Sequence, residues 1–331
     1  MGKVLNIMRW ECFKLQRRRM SWILLAILIG FTQIGVWGAY VSYSRTMASG
    51  GRVFVPMRTT GNMPRMIRCT DLRADGSSVL PEGLPPQAAA ALQAQCRQTI
   101  ETQYRALLPG RALTTALGIT GTLGMVLLAI LGASAVGLEY GLGTLRPILV
   151  RGTGRLSYLA GKYLALVAAT TVALLLVSAA AAGSSALAFK AALAPPELVA
   201  TGIAFGEVAL TFVKTWVALL AFMTIAASVT LLTRSTAAGM AVSIGYFVFE
   251  GIFIRLMSAA FDWFETVGDY LPMRNINALA RSTFSIGPGG ATANTIDTAH
   301  ASVVVAVYAI GFATLAVMMF RRRDVAGASG G

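Results

Sequence analysis

Charge is scarce in this chain. Only 13% of its 331 residues are Asp, Glu, Lys or Arg, against about 25% in an average soluble domain. Histidine is scarcer still, with His300 the single copy, and cysteine occurs only as Cys12, Cys69 and Cys96. No Cys/His group has the spacing of a zinc site. No Gly-x-Ser-x-Gly elbow is present, so nothing supports a hydrolase triad. The nearest thing to a phosphate loop runs from Gly154 to Lys162, but its glycines are too far apart and Tyr163 stands where Ser or Thr would hold Mg²⁺. Gly141-x-Gly143 follows no strand and is no dinucleotide fingerprint. The chain therefore reads as a non-enzyme that binds no metal, cofactor or nucleotide of its own.

Apolar residues, by contrast, make up 56% of the chain, with 34 glycines besides, and mean hydropathy is +0.66. A water-soluble domain cannot hide that much apolar surface, and disorder needs low hydrophobicity. The expected class is an all-α, polytopic integral membrane protein. A spanning helix needs about 20 mostly apolar residues. Stretches 22–41, 112–137, 163–189, 208–232, 237–257 and 301–320 qualify, giving six spans. The fourth and fifth are separated only by Thr233, Arg234, Ser235 and Thr236, a tight hairpin. Barrel strands would instead alternate apolar and polar residues over about ten positions. The first span is too long for a signal-peptide core and reads as a retained anchor.

Orientation follows from Lys and Arg. Residues 1–21 carry Lys3, Arg9, Lys14, Arg17, Arg18 and Arg19, and segment 138–162 carries Arg146, Arg151, Arg155 and Lys162. Arg234 lies in the hairpin, and Arg321, Arg322 and Arg323 in the tail 321–331. With six spans these all share one side, expected to be the cytoplasmic face of the cell membrane, with both termini inside. Those segments hold 14 of the basic residues and 3 acidic ones, so most of the net +14 is one-sided. The membrane accounts for this basic excess, and no nucleic-acid partner is expected. Cys69 and Cys96 then fall in the external loop 42–111, where a disulfide is expected, and Cys12 in the reducing compartment.

Between the spans, residues 3–19 read as an interfacial helix. Val4, Met8, Cys12 and Leu15 recur at helical spacing with Leu5 beside them, basic residues fill the other side, and Trp10 suits headgroup level. Loop 42–111 opens on turn-rich sequence (Ser49, Gly50, Gly51, Pro56, Pro64) and reads as helical from Pro86 to Leu108. A small external cap is the expected picture. Segment 258–300 interleaves Phe261, Trp263, Phe264 and Tyr270 with Asp262, Glu265 and Asp269, which suits an external or re-entrant interface piece.

Segment 138–162 contains EYGLGTLRPILVRGTGRLSYLAGK, Glu139 to Lys162. Leu145, Ile148 and Leu149 fall on one helical face, with Arg146, Arg151 and Arg155 around it. Gly152-Thr153-Gly154 then ends the helix. A short amphipathic helix with an apolar knob suits docking into a groove on another protein. A basic turn lying on lipid is the blander reading.

Here the chain resembles the permease subunit of ATP-binding cassette transporters of the type-2 exporter class. The resemblance rests on WECFKLQRRRMSWILL running into the first span, on EYGLGTLR followed by RLSYLAGK, and on six spans with an outside segment containing YLPMRNINAL before the last. It implies that two permeases, identical or related, pair in the lipid bilayer and that separate ATPase subunits, which carry ATP and Mg²⁺, dock from the cytoplasm. By that resemblance Glu139, Gly143, Thr144, Leu145, Arg146, Ile148, Leu149, Arg151 and Arg155 couple to the ATPase. Trp10, Glu11, Lys14, Arg17 and Arg18 of the N-terminal helix help to seat it. Transport is expected outward, of an unknown substrate.

Within the spans, Gly239, Ser243, Tyr246 and Glu250 form one stripe, with Arg255 a candidate partner for the acid. Thr114, Gly118 and Thr122, with Gly121 and Gly124, form another. Small residues at such spacing mean close packing, while an ionisable group in a span marks a pathway or a dimer lining. The resemblance places both spans near the dimer interface. The alternatives are a membrane-embedded enzyme using Glu250, Asp262, Glu265 and Asp269, and a membrane assembly subunit without transport.

Overall fold

Six runs of Ala, Leu, Ile, Val and Gly, each long enough to close every backbone hydrogen bond within itself, can only fold as helices in a bilayer. The computed structural model describes residues 2–48, 52–55, 65–68, 86–145, 147, 154–192, 205–280 and 296–322. It is all-α apart from one small hairpin. Helix α1 (Gly2–Arg17) breaks at Arg18, and α2 (Arg19–Ala48) is the first long apolar helix. After the hairpin come α3 (Pro86–Arg105), α4 (Pro109–Gly141), α5 (Arg155–Ala191), α6 (Phe205–Thr233) and α7 (Thr236–Ala260). Two short helices, α8 (Trp263–Gly268) and α9 (Pro272–Ala280), precede α10 (Thr298–Arg322). Six of these helices, α2, α4, α5, α6, α7 and α10, are long and apolar enough to cross a membrane. The protein is a multi-pass membrane protein.

The hairpin pairs β1 (Arg52–Val55) with β2 (Arg65–Arg68) antiparallel, Arg52 opposite Arg68 and Val55 opposite Arg65. Turn signals alone had been expected here. Val53-Phe54-Val55 and Met66-Ile67 are β-favouring but too short for periodicity to register. Cys69 and the side chain of Cys96 lie outside the described residues, and with them the expected disulfide. Pro86 and Pro109 each stand at the first position of a helix, where the missing N–H costs nothing.

The chain divides into two units. One comprises Gln33–Leu113 and Ala180–Phe205. Its core is aromatic: Tyr104 is fully buried between Tyr43 (centroids 6.0 Å apart) and Phe189 (5.6 Å), with Leu107 beside it.

The other unit comprises Met1–Thr32, Thr114–Ala179 and Gly206–Gly331. Met125, Leu128 and Ala129 of α4 pack with Leu219, Phe222 and Met223 of α6 and with Ile276 and Leu279 of α9. The apolar windows of α4 and α6 are 72% and 61% buried, those of α2 and α7 only 17% each, so the first two are interior helices. Lipid is as apolar as leucine, so close backbone approach must replace hydrophobic drive. It is visible at Gly121, where a Cβ would lie 2.8 Å from the Cβ of Ala280, and at Gly137, where one would lie 2.8 Å from the Cα of Thr236. Between α6 and α7, Arg234 takes a left-handed conformation (φ 56°), and Ser235 caps α7 by accepting from the N–H of Ala238 at 3.2 Å.

Candidate functional site

Four charged side chains meet where α1 crosses the ends of α4 and α5. Lys162, on α5, is 2% exposed. Its Nζ donates to Glu11 Oε2 at 3.0 Å and to the carbonyl of Ala135 at 2.8 Å, and pairs with Glu139 Oε1 at 3.0 Å. That matches the three donors of an ammonium. Lys14 Nζ closes the cluster from its half-exposed side, 2.6 Å from Glu11 Oε1 and 3.1 Å from Glu139 Oε1. Burial pushes the Glu11 carboxyl up, but the charges of Lys162 and Lys14 outweigh it and hold the group below the usual carboxylate range. Glu139 Oε2 is buried without a partner. The approach is close because the neighbouring residue is Gly161. A Cβ there would lie 2.6 Å from Cγ2 of Ile7 and 3.2 Å from the carbonyl of Val4.

Sequence reasoning had named Lys162 only as part of a motif and had not singled out Gly161. The Gly-Lys pair was the available signal: a flush surface for a crossing helix, with a cation beside it. Cys12, on the same helix, is free, and burial and then Glu11 push its thiol up.

Of the expected docking residues on α1, Glu11 and Lys14 are absorbed into this cluster. Trp10 is exposed, Arg17 stacks its guanidinium over Phe13 at 4.8 Å, and Arg18 has a buried Nη1 without a partner. The expected apolar stripe of α1 is also turned inward. Leu15 is buried, and Val4, Met8 and Cys12 are half-buried, while Leu5, Trp10 and Phe13 are exposed.

Segment 138–162, expected to couple to an ATPase, differs from that expectation at Leu145. Leu145 was expected as an exposed knob, but it is 4% exposed and packs with Val136, Tyr158, Leu159, Leu231 and Phe320. Buried there, Leu145 presents no free surface to a partner. Leu142 is exposed, at 70%, beside exposed Gly143 (φ 64°) and Thr144. Arg155 donates from Nη1 to the carbonyl of Arg321 at 2.9 Å, satisfying a carbonyl in the last turn of α10. Arg146, Ile148, Leu149 and Arg151 lie outside the described residues.

The stripe on α7 faces inward as well. Gly239 packs against Thr230, and Ser243 and Glu250 are each 2% exposed. Glu250 accepts from the N–H of Met273 (Oε2, 3.0 Å) and the N–H of Arg274 (Oε1, 2.7 Å), while the Tyr246 hydroxyl donates to it. These amides are in the first turn of α9, so a carboxylate from α7 caps α9. Arg274 supplies positive charge acting on it. Arg274 itself pairs with Asp269 at 3.0 Å. The Asp269 carbonyl accepts from Asn275 at 2.7 Å and lies 3.0 Å from Nε2 of His300. On α4, Gly118 and Thr122 are buried and Thr114 is half-buried. Both stripes are thus covered by the chain's own helices, as packing requires. Among the described residues no group of His, Cys, Asp and Glu could hold a metal.

A family model described as "Protein of unknown function (DUF2705)" matches residues 103–326, and the chain belongs to that family. The match covers α4 to α10 and leaves α1 and α2 outside it. No curated protein matches.

Proposed function

We propose that this DUF2705 protein is the membrane-spanning permease subunit of an ATP-driven transporter, an exporter of the ATP-binding cassette type. The observation that carries the reading is the Glu11–Lys14–Glu139–Lys162 cluster. It ties α1 to the two ends that flank residues 142–154, so a partner pressing on that segment moves α4 and α5 together. A rigid lever of this kind suits coupling to a separate ATPase, which would bring ATP and Mg²⁺. Leu142, Gly143 and Thr144 offer an exposed contact beside the lever.

The distribution of Lys and Arg supports a cell-membrane location with both termini cytoplasmic. In that orientation Cys69 and Cys96 share the oxidising side. Dimerisation with a second permease belongs to the same reading.

Co-expression with ATPase subunits encoded beside this chain tests it. The expected result is co-purification and ATP hydrolysis that depends on both chains, with Leu142→Asp weakening the association. Purification of the chain alone, or association unchanged by Leu142→Asp, would count against it. Leu145→Asp is not a usable probe, because it puts a charge into a packed cluster.

A further inference from the structure

The exposed side of α1 is neither apolar nor simply basic. Asn6, Arg9, Trp10 and Phe13 line an open groove of about 460 Å³ there. Trp10 and Phe13 meet edge to face at 5.9 Å, and Arg17 covers Phe13. We propose that this groove binds the phosphate headgroup of an anionic phospholipid. The inference is independent of the transporter reading.

Three observations carry it. The first is depth. The Lys162 cluster pins α1 two residues from the end of α4 at Gly141, and so at the level where the spans leave the bilayer. The second is charge. Arg9 and Arg17 are exposed on α1 at the groove, while the helix's only acid, Glu11, is neutralised inside. The third is continuity with the span. Trp22 of α2 donates from its indole to the carbonyl of Gln16 at 2.7 Å, joining the open side of α1 to the exposed Trp22, Ile23 and Ile27 of α2. Arg9 presents a planar guanidinium and Asn6 an amide donor, the groups that suit phosphate oxygens. Trp10 and Phe13 suit the boundary between headgroup and acyl chain, as interfacial aromatics do. An acidic protein would answer the charge but not the exposed aromatics, Trp10 and Phe13 on α1 and Trp22 at the start of a membrane-spanning helix.

Native mass spectrometry of the full chain, released from vesicles of phosphatidylcholine and phosphatidylglycerol, provides the test. The wild type is expected to retain phosphatidylglycerol preferentially. Arg9→Gln should bind it about fivefold more weakly, the equivalent of about 1 kcal/mol per basic group at an anionic surface. Arg9→Lys should restore most of the affinity, and Lys3→Gln, outside the groove, should leave it near wild type. Phosphatidylcholine retention should be unchanged in Arg9→Gln, which shows the variant is folded. Equal retention of the two lipids by the wild type would overturn the proposal, as would phosphatidylglycerol binding indifferent to Arg9→Gln. Displacement of the lipid by excess inorganic phosphate would assign the site to a free anion instead. An Arg9→Gln variant that lost only a bound protein partner would assign it to that partner.

Discussion

Lys162 has every donor engaged inside the protein, and removing it would leave two buried carboxylates sharing the single ammonium of Lys14. Replacing one member of a buried ion pair with an uncharged residue costs roughly 3–5 kcal/mol, because the remaining charge stays desolvated. Lys162→Met is therefore expected to lower the unfolding midpoint measured by tryptophan fluorescence in detergent. Adding Glu11→Gln should recover part of the loss, whereas two independent sites would simply add. The same geometry fixes the sign of a pH effect. Glu11 is held below its ordinary value of 4.5. Its contribution is complete above that ordinary value and is lost as pH falls through the lower, folded value. Accessibility of Cys12 to a thiol reagent reports on the attachment of α1. Labelling of the folded chain during brief acid exposure, with an acid-active disulfide reagent such as dithiodipyridine, should show Cys12 newly reactive only below the ordinary carboxylate range. Release of α1 near neutral pH would show that Glu11 is not the anchor. None of this was legible from spacing alone. Val4, Met8, Cys12 and Leu15 define a stripe, but periodicity cannot say whether a stripe meets lipid or protein. The inward turn becomes clear only with Gly161 and Lys162 on a helix far along the chain.

Helix α9 is nine residues long, too short to be stable in isolation, and a carboxylate from α7 satisfies two N–H groups of its first turn, where Pro272 has none to offer. Glu250→Gln keeps one strong acceptor and should cost about 1 kcal/mol, within the range of a lost cap. Glu250→Leu removes both acceptors and should cost more. Hydrogen exchange at Met273 and Arg274 is the direct check, and unchanged protection in Glu250→Leu would refute the capping role. At the hairpin between α6 and α7, Arg234 occupies a conformation that costs a non-glycine residue roughly 1–2 kcal/mol. Arg234→Gly should raise thermal stability, and a drop would mean the guanidinium makes a larger contribution than the strain. The six long helices were readable because each is an uninterrupted apolar run. The strands β1 and β2 were not, since Val53 to Val55 is too brief to show a period. The stripe of Gly239, Ser243, Tyr246 and Glu250 was visible as a stripe. What it faces was not, because the partners of Glu250 are backbone amides more than twenty residues on, and amides leave no mark in side-chain patterns.

Across the whole molecule, α4 and α6 are interior, while α2, α7 and α10 present most of their apolar surface outward. That division puts polar chemistry at the two ends of the bundle, with Lys162 and its acids at one and the Glu250-capped α9 at the other. The ends must lie on opposite sides of the bilayer, and this is testable without knowing a substrate. In a background with the native cysteines replaced by serine, Trp263→Cys reports on the α9 end, and Leu142→Cys and Arg322→Cys on the other. All three positions are exposed. A membrane-impermeant maleimide added to intact cells should label Trp263→Cys and leave the other two untouched until the membrane is opened. Labelling of Leu142→Cys in intact cells would place the basic face outside and remove the premise for a cytoplasmic ATPase. Labelling of both ends would break the six-span count itself. A positive-inside bias acts through loops of up to about 60 residues. The longer segment 42–111, with its nine arginines, should therefore not override the short ones, and the labelling pattern follows from the 14 basic residues of the short segments.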